Sequence, residues 1–343
     1  MSERPLSYRD AGVDRDAASR AKDRISTLVA ATATDDVLSA VGSFGGLFRA
    51  PRGLRDGVLV ASADGVGTKL KVAMMAGRHD TVGADLVNHC VDDILVEGAK
   101  PLFFLDYIGM GRLEEGTVEA LVSGFSAACR ANECALLGGE TAEMPDFYAP
   151  GEYDLAGFIV GVVENDERPG SHRVRDGDVL LGLASDGFHT NGYTLLRRLF
   201  FERMGLGVDD PYPGLDVSVA DVLLRVHRSY RAAVWPLVRQ GQVQALAHIT
   251  GGGIPGNLER VLPDGLGATI DTGTWDVPTA FAVVEREGRV ARDEMFRTFN
   301  MGVGMVLVAR PAVVDGLLST LADVGETAWV MGAIGPGSGV TLA

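Results

Sequence analysis

Cysteine is nearly absent from this chain: Cys90, Cys129 and Cys134 are all it has, and none stands at C-x-x-C spacing. So few thiols exclude a disulfide framework. Basic residues are also scarce, 31 Lys and Arg against 46 Asp and Glu, for a formal net charge of −15. That balance argues against a nucleic-acid or anionic-membrane surface, because both need basic patches to displace counterions. No apolar run reaches the length of a membrane span, and the opening M-S-E-R-P-L-S-Y lacks the apolar core of a secretory signal; a cytoplasmic protein is expected. Any anionic substrate must then be captured locally, by backbone donors, metal ions and a few placed Lys or Arg.

What is present suits a soluble globular protein: 343 residues, 46% hydrophobic and 22% charged, enough for two domains with a core each. The rest of the chain is organised around Val58 to Lys71, V-L-V-A-S-A-D-G-V-G-T-K-L-K. A β-prone run, Val58 to Ala63, delivers Asp64 to a turn kept free of bulk by Gly65 and Gly67, and a helix-compatible segment starts at Thr68. In outline this is a phosphate site, with amides beside the glycines, a point charge on Lys69, and Asp64 able to hold a hard cation. A plain strand-to-helix turn with a surface lysine fits the stretch as well.

An amphipathic helix is expected from Ala17 to about Ala31, followed by G-S-F-G-G-L-F, Gly42 to Phe48, either a loop closing over a ligand or an ordered hairpin. In Gly83 to Gly98, Val87, Cys90, Val91, Ile94 and Leu95 form a buried helical stripe, flanked by His89, Asp93 and Glu97, with Asp92 on the other side. Cys90 and Cys129 read as small core residues. Pro101 to Tyr107 reads as a strand and Glu114 to Asn132 as a helix; Ala135 to Pro145 runs a short strand into a Gly-Gly turn bearing Glu140 and Glu143. Tyr153 to Val163 is a further strand. The polar segment Glu164 to Arg175 is the plausible linker, dividing the chain into residues 1–168 and 169–343.

Beyond it, a strand at Asp178 to Ala184 leads into S-D-G-F-H-T-N-G-Y with His189 and Asn191, then a helix through Arg203. Ala220 to Arg239 is expected to be one helix. Three glycines, Gly251 to Gly253, open another and make a second anion-site candidate. Arg297 and Asn300 stand just before the strand Val303 to Ala309. Two glycine-rich sites in different domains, the first near Asp64, Asp93 and Glu140, suggest Mg-dependent use of a nucleoside triphosphate by a ligase or kinase.

The blocks S-Y-R-D-A-G-V-D (Ser7 to Asp14), D-G-V-G-T-K-L-K (Asp64 to Lys71), G-A-K-P-L-F-F-L-D-Y (Gly98 to Tyr107), G-G-E-T-A-E-M-P (Gly138 to Pro145), H-T-N-G-Y (His189 to Tyr193), H-I-T-G-G-G (His248 to Gly253) and M-F-R-T-F-N-M-G-V-G-M (Met295 to Met305) carry a resemblance. In that order, over nearly the whole length, the chain resembles the phosphoribosylformylglycinamidine cyclo-ligases, the aminoimidazole ribonucleotide synthetases of purine biosynthesis. The resemblance implies a homodimer whose N-terminal α+β domains pair their sheets into a shared barrel, each chain adding a C-terminal α/β domain with helices packed on a sheet. It also implies that ATP phosphorylates the formyl amide oxygen of formylglycinamidine ribonucleotide, after which the amidine nitrogen closes the imidazole ring.

Residue roles follow from the same resemblance. Asp64, Asp93 and Glu140 are expected to ligate Mg2+, and Gly65, Gly67, Thr68 and Lys69 to touch the triphosphate. Gly42, Gly45 and Gly46 would belong to the ATP loop, with Gly139, Glu140 and Thr141 also at the nucleotide. His189, Asn191 and Lys69 are the expected catalytic groups, and Gly251, Gly252, Gly253, Arg297 and Asn300 would hold the ribonucleotide. The chain departs from the family pattern in T-A-T-D-D-V (Thr32 to Val37), where relatives commonly carry T-R-R-P-E-V, and in Asp186 and Asp92, extra carboxylates able to bind metal or face water. Selenophosphate synthetase would want a reactive Cys before the glycine-rich loop, and the first here is Cys90. Thiamine-monophosphate kinase and the hydrogenase maturation dehydratase share the D-G-V-G-T-like turn but not the first or last block.

Overall fold

A computed structural model describes residues 15–39 and 45–343, without the side chains of residues 15–19, 22 and 23. The Ser7 to Asp14 block and Gly42 lie outside the described residues. Among the described residues no helix is long and apolar enough to cross a membrane.

The first unit runs α1 (Arg15–Ala30), β1 (Gly57–Gly65), α2 (Lys69–Ala76), α3 (Asp80–Leu95), β2 (Lys100–Met110), α4 (Glu115–Ala131), β3 (Ala135–Glu143) and β4 (Tyr153–Glu164). Its sheet has the order β1-β4-β2-β3, antiparallel except for the β2–β3 pair. The helices α3 and α4 lie side by side on one face, because Val82, Leu86, Val87, Cys90, Val91 and Ile94 of α3 and Val118, Leu121, Val122 and Phe125 of α4 recur at helical spacing and are buried against it. Among the described residues nothing covers the other face: Leu59 is 66% and Phe158 46% exposed.

Two expectations need correction. Gly138 and Gly139 do not make a turn; they sit inside β3, which continues to Glu143. A Cβ at Gly139 would collide with the Asp106 carboxylate on the neighbouring strand, so this in-strand glycine is a close-approach position. Nor does β2 stop at Tyr107, since it runs on to Met110.

The second unit contains β5 (Val179–Ala184), α5 (Tyr193–Arg197) continuing into a π-helical turn to Arg203, α6 (Val219–Leu223), α7 (Arg231–Arg239), β6 (Val243–His248) and α8 (Gly253–Leu258). It ends with β7 (Leu266–Ile270), α9 (Thr279–Gly288), α10 (Arg292–Thr298), β8 (Val303–Ala309), α11 (Val314–Asp323), β9 (Ala328–Pro336) and β10 (Val340–Leu342). Its six strands order as β10-β7-β9-β5-β8-β6. All pairs but β10–β7 are antiparallel, so this unit is α+β in strand direction and not the α/β arrangement expected. The strand β8 is buried along its whole length; Met305, Leu307 and Ala309 face the α7–α11 layer, and Val306 and Val308 face the other core. Layers on both faces explain its unbroken apolar run.

The expected single helix from Ala220 to Arg239 is broken: Leu224 ends the first helix, and residues 225–230 run without regular structure to α7. Side chains of α3 replace the missing helical bonds. Asp85 accepts from the His227 N–H at 2.6 Å, Asn88 donates to the His227 carbonyl at 2.7 Å, and Asp92 accepts from the Tyr230 N–H at 3.0 Å. Asp92 is therefore fully buried and structural, facing neither water nor an open metal position. These bonds dock the two units against each other along α3.

Candidate active site

The site grows from the end of β1. Asp64 closes the strand, its Oδ1 accepting the Gly65 N–H at 2.6 Å, and Gly67 turns the chain at φ 67° before α2 begins. Its Oδ2 lies 2.8 Å from His89 Nε2 on α3. One turn along that helix, Asp93 Oδ1 meets His248 Nδ1 at 2.9 Å, and its Oδ2 accepts from Ser62 Oγ at 3.1 Å. His89 Nε2 is 3.8 Å from Asp93 Oδ2, while its Nδ1 is held by Thr190 Oγ1 at 2.8 Å. Burial alone would raise both carboxyls, but the hydrogen bonds from His89 and His248 outweigh it and hold them below the usual carboxylate range. Two carboxylates and a hydroxyl at a partly open turn fit a hard divalent cation.

Behind this pair lies a packed group of imidazoles. His248 Nε2 is 3.0 Å from His227 Nε2, and the His189 ring stacks on His227 with centroids 4.0 Å apart. Burial pushes His189 and His227 well below the ordinary imidazole range, with the neighbouring imidazoles adding to the effect. His189 adopts φ 57°, uncommon for a residue with a Cβ, which turns its side chain inward, where Nε2 accepts from the Asp186 N–H at 3.2 Å. Its Nδ1 is buried with no hydrogen-bond partner among the described residues.

The residues after His189 border a cleft. Thr190, Asn191 and Thr194 with Thr68, Arg198 and Thr298 line a cleft of about 660 Å³ between the β1 turn and the second unit. Thr68 and Thr194 hydroxyls meet across it at 3.0 Å, and Asn191 Nδ2 is buried without a partner among the described residues. The cleft thus offers hydroxyls, the Arg198 guanidinium and the Glu294 carboxylate to a polar ligand, beside the Asp64 turn.

The structure brings Asp64, Gly65, Gly67, Thr68, Asp93, His189 and Asn191 together, but it separates other expected residues. Lys69 is fully buried: its amine lies 2.7 Å from Asp85 Oδ2 and donates to the His189 and Arg225 carbonyls at 3.0 and 2.6 Å. An ammonium so committed is a strut between the units, not a free phosphate ligand. Glu140 cannot share an ion with Asp64 within one chain. Asp64, Gly157, Asp106 and Gly139 are successive cross-strand neighbours, so the two acids stand at opposite sheet edges, three strand spacings or about 14 Å apart. Gly45 and Gly46 fall near the Glu140 edge, with Gly46 packed on Leu137 and Phe48 5.2 Å from Phe103; Gly139 and Thr141 lie there too.

In the second unit, Asn300 is not free for substrate: it accepts from Ser185 Oγ and the Gly302 N–H and donates to the Gly187 carbonyl, fixing the turn before His189. Gly251 and Gly252 are exposed, Gly251 beside Asn191, and Gly253 is buried against the Phe296 carbonyl. Arg297 is exposed on α10, the helix whose Thr298 reaches the cleft. Sequence reasoning missed His227 and His248 as site neighbours. The one available signal was the polar series Asp85, Asn88, His89 and Asp92 at helical spacing on an otherwise apolar α3.

These features define a two-unit protein that gathers a carboxylate pair and a polar cleft at the junction of its domains. Models of the family described as AIR synthase related protein match both parts, the N-terminal domain over residues 51–163 and the C-terminal domain over 175–343. The chain belongs to the phosphoribosylformylglycinamidine cyclo-ligase family. A relative of that name from Geotalea daltonii is 49% identical over 97% of this chain and 96% of its own length. Another from Thermoanaerobacter pseudethanolicus is 45% identical over 96% and 97%. In fold, the chain is similar to a thiamine-monophosphate kinase from Stenotrophomonas maltophilia, TM-score 0.72 at 20% identity over 93% and 94% of the two chains. It is also similar to the hydrogenase maturation protein HypE in complex with ATP, TM-score 0.65 at 16% identity over 90% and 84%.

Proposed function

We propose that this chain converts formylglycinamidine ribonucleotide and ATP to aminoimidazole ribonucleotide, ADP and phosphate. The observation that carries the reading is the junction itself, where the carboxylate pair Asp64 and Asp93 opens beside the cleft of Thr68, Thr190, Asn191 and Arg198. The ribonucleotide would occupy this cleft, with Arg198 and the threonine hydroxyls as candidates for its anionic end. That moves the ribose-phosphate contact away from Gly251 to Gly253 and Arg297. ATP would transfer its γ-phosphoryl group to the formyl amide oxygen, and the amidine nitrogen would then attack the activated carbon and expel phosphate. The Asn191 amide, buried without a partner at the cleft wall, would donate to the amide oxygen, while His189 would act from behind by holding the turn. Mg2+ held by Asp64 and Asp93 would neutralise the phosphate charge.

The reading includes a homodimer. The uncovered sheet face bearing Leu59 and Phe158 is apolar, and a second copy closing on it would give the expected barrel. It would also bring a second nucleotide-side edge, with Gly45, Gly46, Glu140 and Thr141, into the assembly. A division at residues 168 and 169 leaves the carboxylate pair in the first domain and Asn191 in the second. A cytoplasmic setting accords with a chain in which no described helix is long and apolar enough to span a membrane.

The test is ADP release by the purified protein with Mg2+ and ATP, with and without formylglycinamidine ribonucleotide, alongside colorimetric detection of the aminoimidazole. Both products should appear together and only with the ribonucleotide. ADP release that ignores the ribonucleotide would overturn the reading. For the dimer, Phe158→Glu should shift the sedimenting species to half its mass while leaving the far-ultraviolet circular dichroism unchanged. An unchanged mass would take the apolar face out of the interface.

A further inference from the structure

We propose that His89 is a positioning residue for the Asp64 carboxylate, and that Thr190, in the wall of the cleft, holds it in that task; this rests on the reading of Asp64 as a nucleotide-side group. His89 Nε2 lies 2.8 Å from Asp64 Oδ2. An ionised carboxylate only accepts, so Nε2 carries the hydrogen and donates it. Nδ1 of the neutral ring is then an acceptor, and Thr190 Oγ1 donates to it at 2.8 Å. The chain of bonds runs from the second unit, through a ring on α3, to the acid that closes β1.

The carboxylate needs this support because of where it stands. Asp64 opens a glycine-rich turn with its side chain 44% exposed, against 5% for His89, so the fixed partner of the two is the ring. The Gly65 N–H pins Oδ1 at 2.6 Å, and that bond alone leaves the carboxylate plane free to turn; the His89 bond to Oδ2 fixes it. Nor can the ring swing away, since His227 and His248 pack around it with centroids 5.2 and 5.1 Å distant. Thr190 is held between the inward-turned His189 and Asn191 at the cleft. One turn along α3, Asp93 is held from the second unit too, by His248 Nδ1 at 2.9 Å. The second unit therefore orients both acids of the first. A group oriented before its ligand arrives binds more tightly, because no ordering remains to be done on binding.

The experiment measures the Kd of the full-length protein for ATP with Mg2+, without ribonucleotide, by isothermal titration calorimetry. His89→Leu and Thr190→Val should each weaken binding about tenfold. The double variant should lose about the same factor as His89→Leu alone, because both substitutions cut one chain of bonds. His89→Gln, whose amide N–H reaches about the place of Nε2–H, should recover most of the loss. A purely structural role would lower the urea midpoint and leave the affinity of the folded protein at the parent value, and that result overturns the inference. So does a loss of about a hundredfold in the double variant, the mark of two independent contacts. Where His89→Leu does not fold, Thr190→Val decides: a tenfold loss supports the inference, by the same magnitude of about tenfold, and parent affinity overturns it. Asp64→Asn separates this inference from the reading beneath it. If Asp64→Asn weakens binding and His89→Leu does not, the positioning role fails alone; if neither weakens it, both fail.

Discussion

Lys69→Met is expected to destabilise the protein by about 3–5 kcal/mol, read as a lower midpoint in urea unfolding at neutral pH. The substitution keeps the length and apolar body of the side chain, so the loss is electrostatic. Asp85 would remain in the interior with its Oδ1 on the His227 N–H and its Oδ2 facing no cation. The Arg225 and His189 carbonyls would also lose their shared donor. Burial lowers the lysine and raises the aspartate, each opposed by the attraction of its partner, which marks an ion pair costly to make and costlier to halve. Replacing both partners, Lys69→Met with Asp85→Leu, should recover much of the loss, less the cost of orphaning the His227 N–H. If Lys69 were a triphosphate ligand, the single variant would fold normally and show its defect as a raised KM for ATP. A cost under about 1 kcal/mol would exclude the strut.

Legibility of the chain follows how local the determining interactions are. The helices α3 and α4 were readable because their apolar stripes repeat within one element, and β1 with its Asp64 turn was readable because glycine and strand propensity act over a few residues. The break between α6 and α7 was not readable from its own sequence. Residues 225–230 have helix-compatible composition, and what unwinds them is a set of side chains on α3 about 140 positions earlier, such as Asp85 to His227 at a separation of 142. The fate of Lys69 was hidden for the same reason: nothing near it in sequence says that Asp85 and two carbonyls of the second unit will enclose it. Motif resemblance named the cleft-lining Asn191 and the inward-turned His189 together, because a block of adjacent residues carries no information about which side each one faces. Glu140 was grouped with Asp64 by its chemistry and by the family resemblance; strand order put them at opposite edges.

Strand order also sets up the second large effect. Asp106 lies in the cross-strand row between Gly157 and Gly139, on the same sheet face as Phe104 and Ile108, under α3 and α4. Burial pushes its carboxyl up to about 7, and Glu140 on the neighbouring strand adds like charge. The folded chain therefore keeps this proton where the unfolded chain, titrating near 3.8, has lost it. Stability from this group falls as pH rises from about 4 to about 7 and is flat above, at about 1.4 kcal/mol per pH unit. Asp106→Asn keeps the shape beside Gly139 without the charge. The variant should exceed the parent by about 1 kcal/mol at pH 4.5 and by up to about 4 kcal/mol at pH 8, the side chain's residual solvent access making these upper bounds. Urea unfolding at the two pH values measures the gap. A gap that does not grow with pH would mean that Asp106 ionises freely in the folded chain and that the space left by Gly139 admits water to its carboxylate.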